Sequence, residues 1–300
     1  MSDPIRITEL TKKFRRTSVL NGINLAVPKD AVFALIGPNG AGKTTTIKIL
    51  MNIFRPNAGS AEILGIDSRH LAGRDFTRIG YVSENQEMPD WMTVDYFLRY
   101  LRAFYPGWDD ELAAQLVRQF KLPGDRKLKH LSRGMRMKAA LASSLAYRPE
   151  VVVLDEPFTG LDPLARDEFI SGLLERSQNT TVFISSHDLA DIETFASHVG
   201  YLEEGRVQFS EELSSLSDRF REIEITFDAS PPLPVDWPVS WLQPESSAAV
   251  IRFTESRYDS ERTTAEIRRR FPGVRDISAA PMSLRSIFVA VAKSAETVAA

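Results

Sequence analysis

The sequence predicts an α/β fold: a parallel-sheet core with an antiparallel β subdomain and a helical subdomain, followed by a small α+β domain. Three observations predict it. The glycine-rich stretch Gly37-Pro-Asn-Gly-Ala-Gly-Lys-Thr44 separates a short apolar run from a helical one. Between Val151 and Phe195, apolar runs alternate with helical periods, as in an open parallel sheet. After Asp218 the composition shifts, with Pro231, Pro232, Pro234, Pro238 and Pro244 gathered in one stretch.

Taken in order, residues 5–10 and 19–27 alternate like antiparallel strands around a basic turn. Residues 31–36 form a strand that ends in the glycine loop, and 43–51 form the helix that the loop opens. Residues 79–82 are another short strand. From 93 to 120 the period is helical, interrupted at Pro106-Gly107. A third helix, 132–147, is closed by Arg148-Pro149, because the residue before a proline is pushed out of helical geometry. Strand 151–154, helix 163–176, strand 181–185 and helix 189–195 follow, and a hairpin of 199–202 and 207–209 turns at Glu204-Gly205. One domain is therefore expected at 1–218, with its helical subdomain at about 89–147, and a second at 219–300. In the second, 221–227 and 249–253 read as strands, and 260–271 and 283–291 as helices.

A length of 300 residues accommodates one large domain and a smaller one. The net charge of −3 sets up no positive field, so no nucleic-acid partner is expected. With no cysteine there is neither a disulfide framework nor a thiolate metal site, which suits a reducing, cytoplasmic setting. No apolar run approaches the ~20 residues that span a bilayer. Met-Ser-Asp-Pro at the start lacks the basic and apolar regions of a signal peptide. Contact with a membrane is thus expected only through a partner chain.

The glycine loop reads as a phosphate loop. Gly37, Gly40 and Gly42 permit the backbone angles by which successive N–H groups wrap phosphate, and the positive end of the next helix adds to the attraction. Lys43 supplies a point charge and the Thr44 hydroxyl is placed to ligate Mg2+. With Pro38, Asn39, Ala41 and Thr45 these are the candidate nucleotide-binding residues. Asp155 and Glu156 end an apolar strand, where open sheets place their sites. There an aspartate can hold the Mg2+ shell and a neighbouring glutamate can polarise a water for attack on the γ-phosphate. Alone, the same pair reads equally as an acidic strand-to-loop turn.

Four motifs now stand in one order: residues 37–44, Leu131-Ser-Arg-Gly-Met135, the strand ending in Asp155-Glu156, and His187 after Val182-Phe-Ile-Ser-Ser186. On these motifs, residues 5 to about 215 resemble the nucleotide-binding domain of ATP-binding cassette (ABC) transporters, a P-loop NTPase fold. The resemblance implies ATP hydrolysis with ATP and Mg2+, coupled to a separate transmembrane permease. It also implies a head-to-tail sandwich of two ATPase chains, a homodimer or a heterodimer, each phosphate loop facing the partner's signature. The signature suits that task, because Ser132 and Gly134 begin a helix whose free N–H groups and dipole can face a phosphate. By the same resemblance Glu156 is the general base, with Lys43 beside it at the phosphates, and His187 contacts the γ-phosphate. Asp162, in Thr159-Gly-Leu-Asp162, couples the two sites, and Phe14 stacks the adenine where the family commonly has tyrosine. A basic solvated turn with an anchoring phenylalanine is the other reading of Lys12–Arg16. A lone histidine after a strand also serves as a structural hydrogen-bonder; His70, His130 and His198 are read that way.

Three positions depart from the family's common pattern. The signature reads Ser-Arg-Gly-Met where Ser-Gly-Gly-Gln is commonest, so Arg133 adds charge near the incoming phosphate and Met135 loses a polar contact. Glu84, in Tyr81-Val-Ser-Glu84-Asn-Gln86, stands where a glutamine usually touches Mg2+, and its carboxylate can serve as a metal ligand; with the register slipped, Gln86 takes that place. Glutamate here resembles the branch that drives antibiotic- and multidrug-export-like transporters. In such proteins the helical stretch 89–147 faces the permease, and its aromatics Trp91, Phe97, Phe104, Tyr105 and Trp108, with Met92, divide between core and docking groove. An exporter's ATPase subunit, at the cytoplasmic face of the membrane, is the first expectation. A soluble ABC ATPase acting on ribosomes or DNA is the second, weakened by a single unsplit cassette with no basic face.

Overall fold

The structure is a computed structural model describing residues 3–175, 179–229 and 236–299. The expected helix end at Arg176 and the prolines Pro231, Pro232 and Pro234 lie outside the described residues. Two compact units divide the chain, Met1–Ser210 and Glu211–Ala300.

In the first unit, β1 (Ile5–Phe14) and β2 (Thr17–Val27) pair antiparallel, as their alternating pattern requires. β3 (Val32–Ile36) is buried throughout and ends in the phosphate loop, from which α1 (Lys43–Leu50) leaves. β4 (Ala58–Ile63) and β5 (Ile66–Asp67) join β1 and β2 in a four-stranded sheet of order β2-β1-β4-β5. β6 (Ile79–Ser83) leads into the helical subdomain, made of α2 (Val94–Arg102), α3 (Asp110–Gln119) and α4 (Arg133–Leu145). Each of the three begins on a side-chain cap, from Thr93, Asp109 and Ser132 respectively. The break between α2 and α3 holds Pro106-Gly107, the expected interruption. β7 (Val151–Asp155), α5 (Pro163–Leu174), β8 (Thr181–Ser186), α6 (Leu189–Glu193), β9 (His198–Glu203) and β10 (Arg206–Glu212) complete the unit.

The large sheet has the order β10-β9-β3-β8-β7-β6. β3 runs parallel to β8 and β9, and β7 runs parallel to β8 and β6. Register then decides where chemistry can gather. Ile36 pairs with Ser186, Ser185 with Asp155, and Asp155 with Ser83. Four strands thus end side by side, and the loops carrying Gly37, Glu84, Glu156 and His187 leave from one edge of the sheet. The core joins both sheets through Ile7, Leu20, Ile23, Leu25, Phe33, Leu35, Ile47 and Phe183.

The aromatics of the helical subdomain divide. Met92 and Phe97 are buried core, whereas Trp91, Tyr96, Tyr100 and Phe104 are exposed. Tyr105 stacks on Tyr147, with ring centroids 3.9 Å apart.

The second unit starts ahead of the expected Asp218. Leu213–Arg219 forms a helix, α7, whose Arg219 donates to the Ser256 carbonyl, so it belongs with the second unit. The sheet order is β12-β13-β11-β14, from β11 (Arg221–Phe227), β12 (Trp241–Ser247), β13 (Val250–Glu255) and β14 (Val274–Pro281), with α8 (Ser260–Arg270) between β13 and β14 and α9 (Leu284–Ala299) last. The strands β12 and β14 are additions to those the sequence predicts. They are the two edge strands, mostly exposed, so neither carries the period-2 apolar pattern that marks a half-buried strand. The core gathers Ile223, Ile225, Trp241, Phe253, Ile267 and Phe271 on one face.

Candidate active site

The phosphate loop takes backbone conformations that only glycine adopts at no cost. Gly42 has φ +113°, and a Cβ there would lie 2.6 Å from Leu20 Cδ2. A Cβ on Gly37 would lie 2.0 Å from the Leu202 carbonyl oxygen, so the loop can leave β3 only as glycine. No side chain caps α1 and no acidic residue sits in its first turn, so the helix presents free N–H groups at its start. The Lys43 side chain is buried, and its ammonium donates to the carbonyl oxygens of Gly37 (2.7 Å) and Pro38 (3.2 Å).

Asp155 is also buried. Its Oδ1 accepts from Thr44 Oγ1 at 2.9 Å and from Ser185 Oγ at 2.8 Å. Burial pushes its carboxyl above the usual carboxylate range and the neighbouring Glu156 charge adds to this, while the two hydroxyls act in the opposite direction. Glu156 follows in the left-handed region, φ 49°, with its N–H donating to Ser185 Oγ at 3.0 Å. That turn aims the carboxylate back across the loop. Glu156 Oε1 lies 3.2 Å from Lys43 Nζ, and Oε2 lies 2.7 Å from His187 Nδ1. A carboxylate only accepts, so Nδ1 carries the proton in this pair. The Glu84 N–H donates to the Asp155 carbonyl at 3.0 Å, and the Glu84 carboxylate pairs with Arg133.

A cavity of about 650 Å3 opens over these groups, and the structure brings Phe14, Asn39, Gly40, Gly42, Lys43, Thr44, Thr45, Glu84, Glu156 and His187 to its wall. Phe14 is 39% exposed, edge-on to Phe54 at 5.4 Å, with Lys12 Nζ 4.8 Å from its ring centre. Ser132, Gly134 and Asp162 do not line this cavity. Ser132 caps α4, accepting from the Met135 N–H at 3.2 Å; Asp162 caps α5, accepting from the Ala165 N–H at 2.9 Å; Gly134 is buried where a Cβ would lie 3.2 Å from Ala165 Cβ. Gly37, Pro38 and Ala41 form the back of the loop rather than the cavity wall. Gln86 turns away, its side-chain oxygen accepting from the Ser83 N–H at 3.4 Å.

Sequence reasoning missed three residues here. Ser185 bridges Asp155 and Glu156; its signal was a hydroxyl ending an apolar run two residues before His187. Thr159 lines the cavity, its buried Oγ1 without a hydrogen-bond partner among the described residues. Phe54 supports Phe14 from a different part of the chain, and no spacing rule links the two positions. Among the described residues no three His, Cys, Asp or Glu side chains converge on one point, so the site holds no all-protein metal cage.

The ABC transporter family model matches residues 20–159. The bacitracin transport ATP-binding protein BcrA of Enterococcus faecalis is 30% identical over 276 residues, covering 89% of this chain and 88% of that protein. The chain belongs to the ABC transporter ATP-binding proteins. A second relative, the Nod factor export ATP-binding protein I of Burkholderia lata, is 34% identical over 213 residues, covering 68% of this chain and 69% of its own length. A solved ATP binding subunit of an ABC transporter superposes with a TM-score of 0.65 at 27% identity, covering 71% of this chain and 92% of that one. As an ABC transporter ATP-binding protein, the chain is an ATPase whose hydrolysis is coupled to transport.

Proposed function

We propose that this ABC ATP-binding protein is the motor of an exporter, in which two ATPase chains close head to tail on ATP and Mg2+ and drive a separate transmembrane permease. One observation carries the reading. Glu156 is held between Lys43 and His187 directly after the Thr44–Asp155 pair, so the phosphate cation, the Thr44 hydroxyl and the base line one cavity, with buried Asp155 behind Thr44. Lys43 exchanges its hold on Glu156 for the phosphates. Glu156 takes the proton of the attacking water, and His187 fixes the carboxylate's second oxygen for that task. Phe14 offers its ring to the adenine, braced by Phe54.

Mg2+ fits the residues present: a hydroxyl, Thr44, and a carboxylate, Asp155, bonded to each other, with Glu84 next to them and the remaining ligands left to phosphate and water. Bound there, the ion neutralises charge developing on the phosphates. Thr159 Oγ1, orphaned at the wall, supports a polar occupant of the cavity. The signature residues Ser132 and Gly134, away from the cavity of their own chain, are assigned to the site of the second chain, a copy of this one or a related ATPase. Asp162 joins α5 to the turn after Glu156 and is assigned the coupling between sites.

The permease is assigned to a second cavity of about 510 Å3 where the helical subdomain meets residues before it, lined by Ile53, Met88, Phe97, Tyr100, Tyr105 and Tyr147. Tyr100 and Ile53 stand exposed at its rim, which suits the apolar face of a short helix of the partner. From the permease-driving role we place the protein at the cytoplasmic face, held there by the permease; among the described residues no helix is long and apolar enough to cross a membrane. Relatives named for bacitracin transport and Nod factor export support the exporter direction.

The experiment is affinity capture of tagged Glu156→Gln with Mg2+ and ATP from detergent-solubilised membranes, with partners read by mass spectrometry. A stoichiometric multi-spanning protein is the expected result. Ribosomal or DNA-processing partners in its place overturn the assignment.

A further inference from the structure

Arg133 stands first in α4, beside the helix cap Ser132, yet its side chain reaches Glu84 of its own chain. The guanidinium forms an ion pair with Glu84, a residue of the cavity wall. Its other neighbour is Gly160, in the turn after Glu156; a Cβ built there would lie 3.0 Å from Arg133 Nη1 and 3.2 Å from Cδ and Cζ. One side chain from the signature helix thus touches two of the loops that frame its own chain's cavity.

Glu84 cannot serve two cations equally. Mg2+ demands near-octahedral oxygen ligands at ~2.0–2.1 Å, and a guanidinium on the same carboxylate both occupies a lone-pair direction and repels the ion. We propose that Arg133 competes with Mg2+ for Glu84 of its own chain, which makes it a positioning residue that ties metal loading at one site to the end of the helix offered to the other. The inference rests on the proposed metal shell and deepens it: metal loading releases Arg133, and an Arg133 held by Glu84 weakens metal binding.

The test measures Mn2+ in place of Mg2+ by the loss of its free electron-spin resonance signal, on the full chain with a non-hydrolysable ATP analogue. Arg133→Gly is expected to bind Mn2+ about two- to fivefold more tightly than the unmodified chain, the range that a partly exposed ion pair supplies. Arg133→Gln, which keeps the packing over Gly160 without the charge, is expected to match it, and Arg133→Lys to return toward the starting affinity. In a Glu84→Gln background, Arg133→Gly is expected to add nothing. Equal Mn2+ affinity with and without the Arg133 charge overturns the competition, as does a gain that survives in Glu84→Gln. No Mn2+ uptake by the unmodified chain with the analogue instead sinks the metal shell on which it rests.

Discussion

Lys43 and Glu156 are joined as an ion pair at the cavity wall, with Nζ 3.2 Å from Oε1 and both side chains largely shielded from water. The loop's cation and the strand-end carboxylate therefore hold each other; in the proposed function, a phosphate arriving at Lys43 exchanges one anion for another. On that same proposal Glu156 is then freed toward the attacking water, still bonded through Oε2 to His187.

Removing the cation exposes both halves of that arrangement. Lys43→Ala is expected to lose about 10- to 100-fold in ATP affinity, the scale of a charge-assisted contact, and to leave the Glu156 carboxylate without its nearest cation. Equilibrium binding of a fluorescent ATP analogue measures it. Unchanged affinity would remove Lys43 from the phosphates.

Asp155 gives a pH-dependent prediction. Burial raises its carboxyl above the unfolded value, so the folded state disfavours the ionised form. The resulting penalty is absent below the unfolded value, grows as pH rises through the folded one, and is fully present at neutral pH. Asp155→Asn keeps an Oδ1 for Thr44 and Ser185 and removes the charge, so without nucleotide it is expected to raise Tm by about 2–4 °C at pH 7 and by nothing near pH 3. With ATP and Mg2+ the proposed metal shell predicts the reverse order, because Asp155→Asn removes the charge that would hold the ion. Thermal melts at the two pH values, with and without MgATP, check both signs.

The aromatic groove gives a prediction independent of the chemistry. Tyr100→Asp, at a groove-lining side chain 44% exposed, is expected to leave the ATPase rate of the isolated chain within about twofold, the usual tolerance of an exposed position. Co-purification of the permease is expected to fall at least tenfold. Retained capture would move the docking site elsewhere.

The sequence made the cavity legible to the extent that its residues lie at strand ends or in a contiguous loop. The register of β3, β7 and β8 did the rest, carrying Gly37, Glu156 and His187 to one edge as the alternation of apolar runs implied. Contacts that depend on side-chain reach were not legible: Arg133 on Glu84 spans 49 positions, and nothing in the spacing of either motif announces it. Ser185 was hidden because a hydroxyl at the end of an apolar strand looks like any strand terminus. In the second unit, β11 and β13 announced themselves through Ile223, Ile225, Ile251 and Phe253, each inward-facing in strict alternation. The edges β12 and β14 expose most of their side chains and wrote no such pattern.

The most direct measurement of the central claim is made on purified Glu156→Gln. Phosphate release and molar mass by light scattering are followed with and without MgATP. The account expects bound ATP, hydrolysis reduced at least ~100-fold by loss of the general base, and a mass that doubles from the 33.7 kDa chain only with nucleotide. Hydrolysis near the unmodified rate would take Glu156 out of the base role, and bound ATP with no change of mass would contradict the two-chain site.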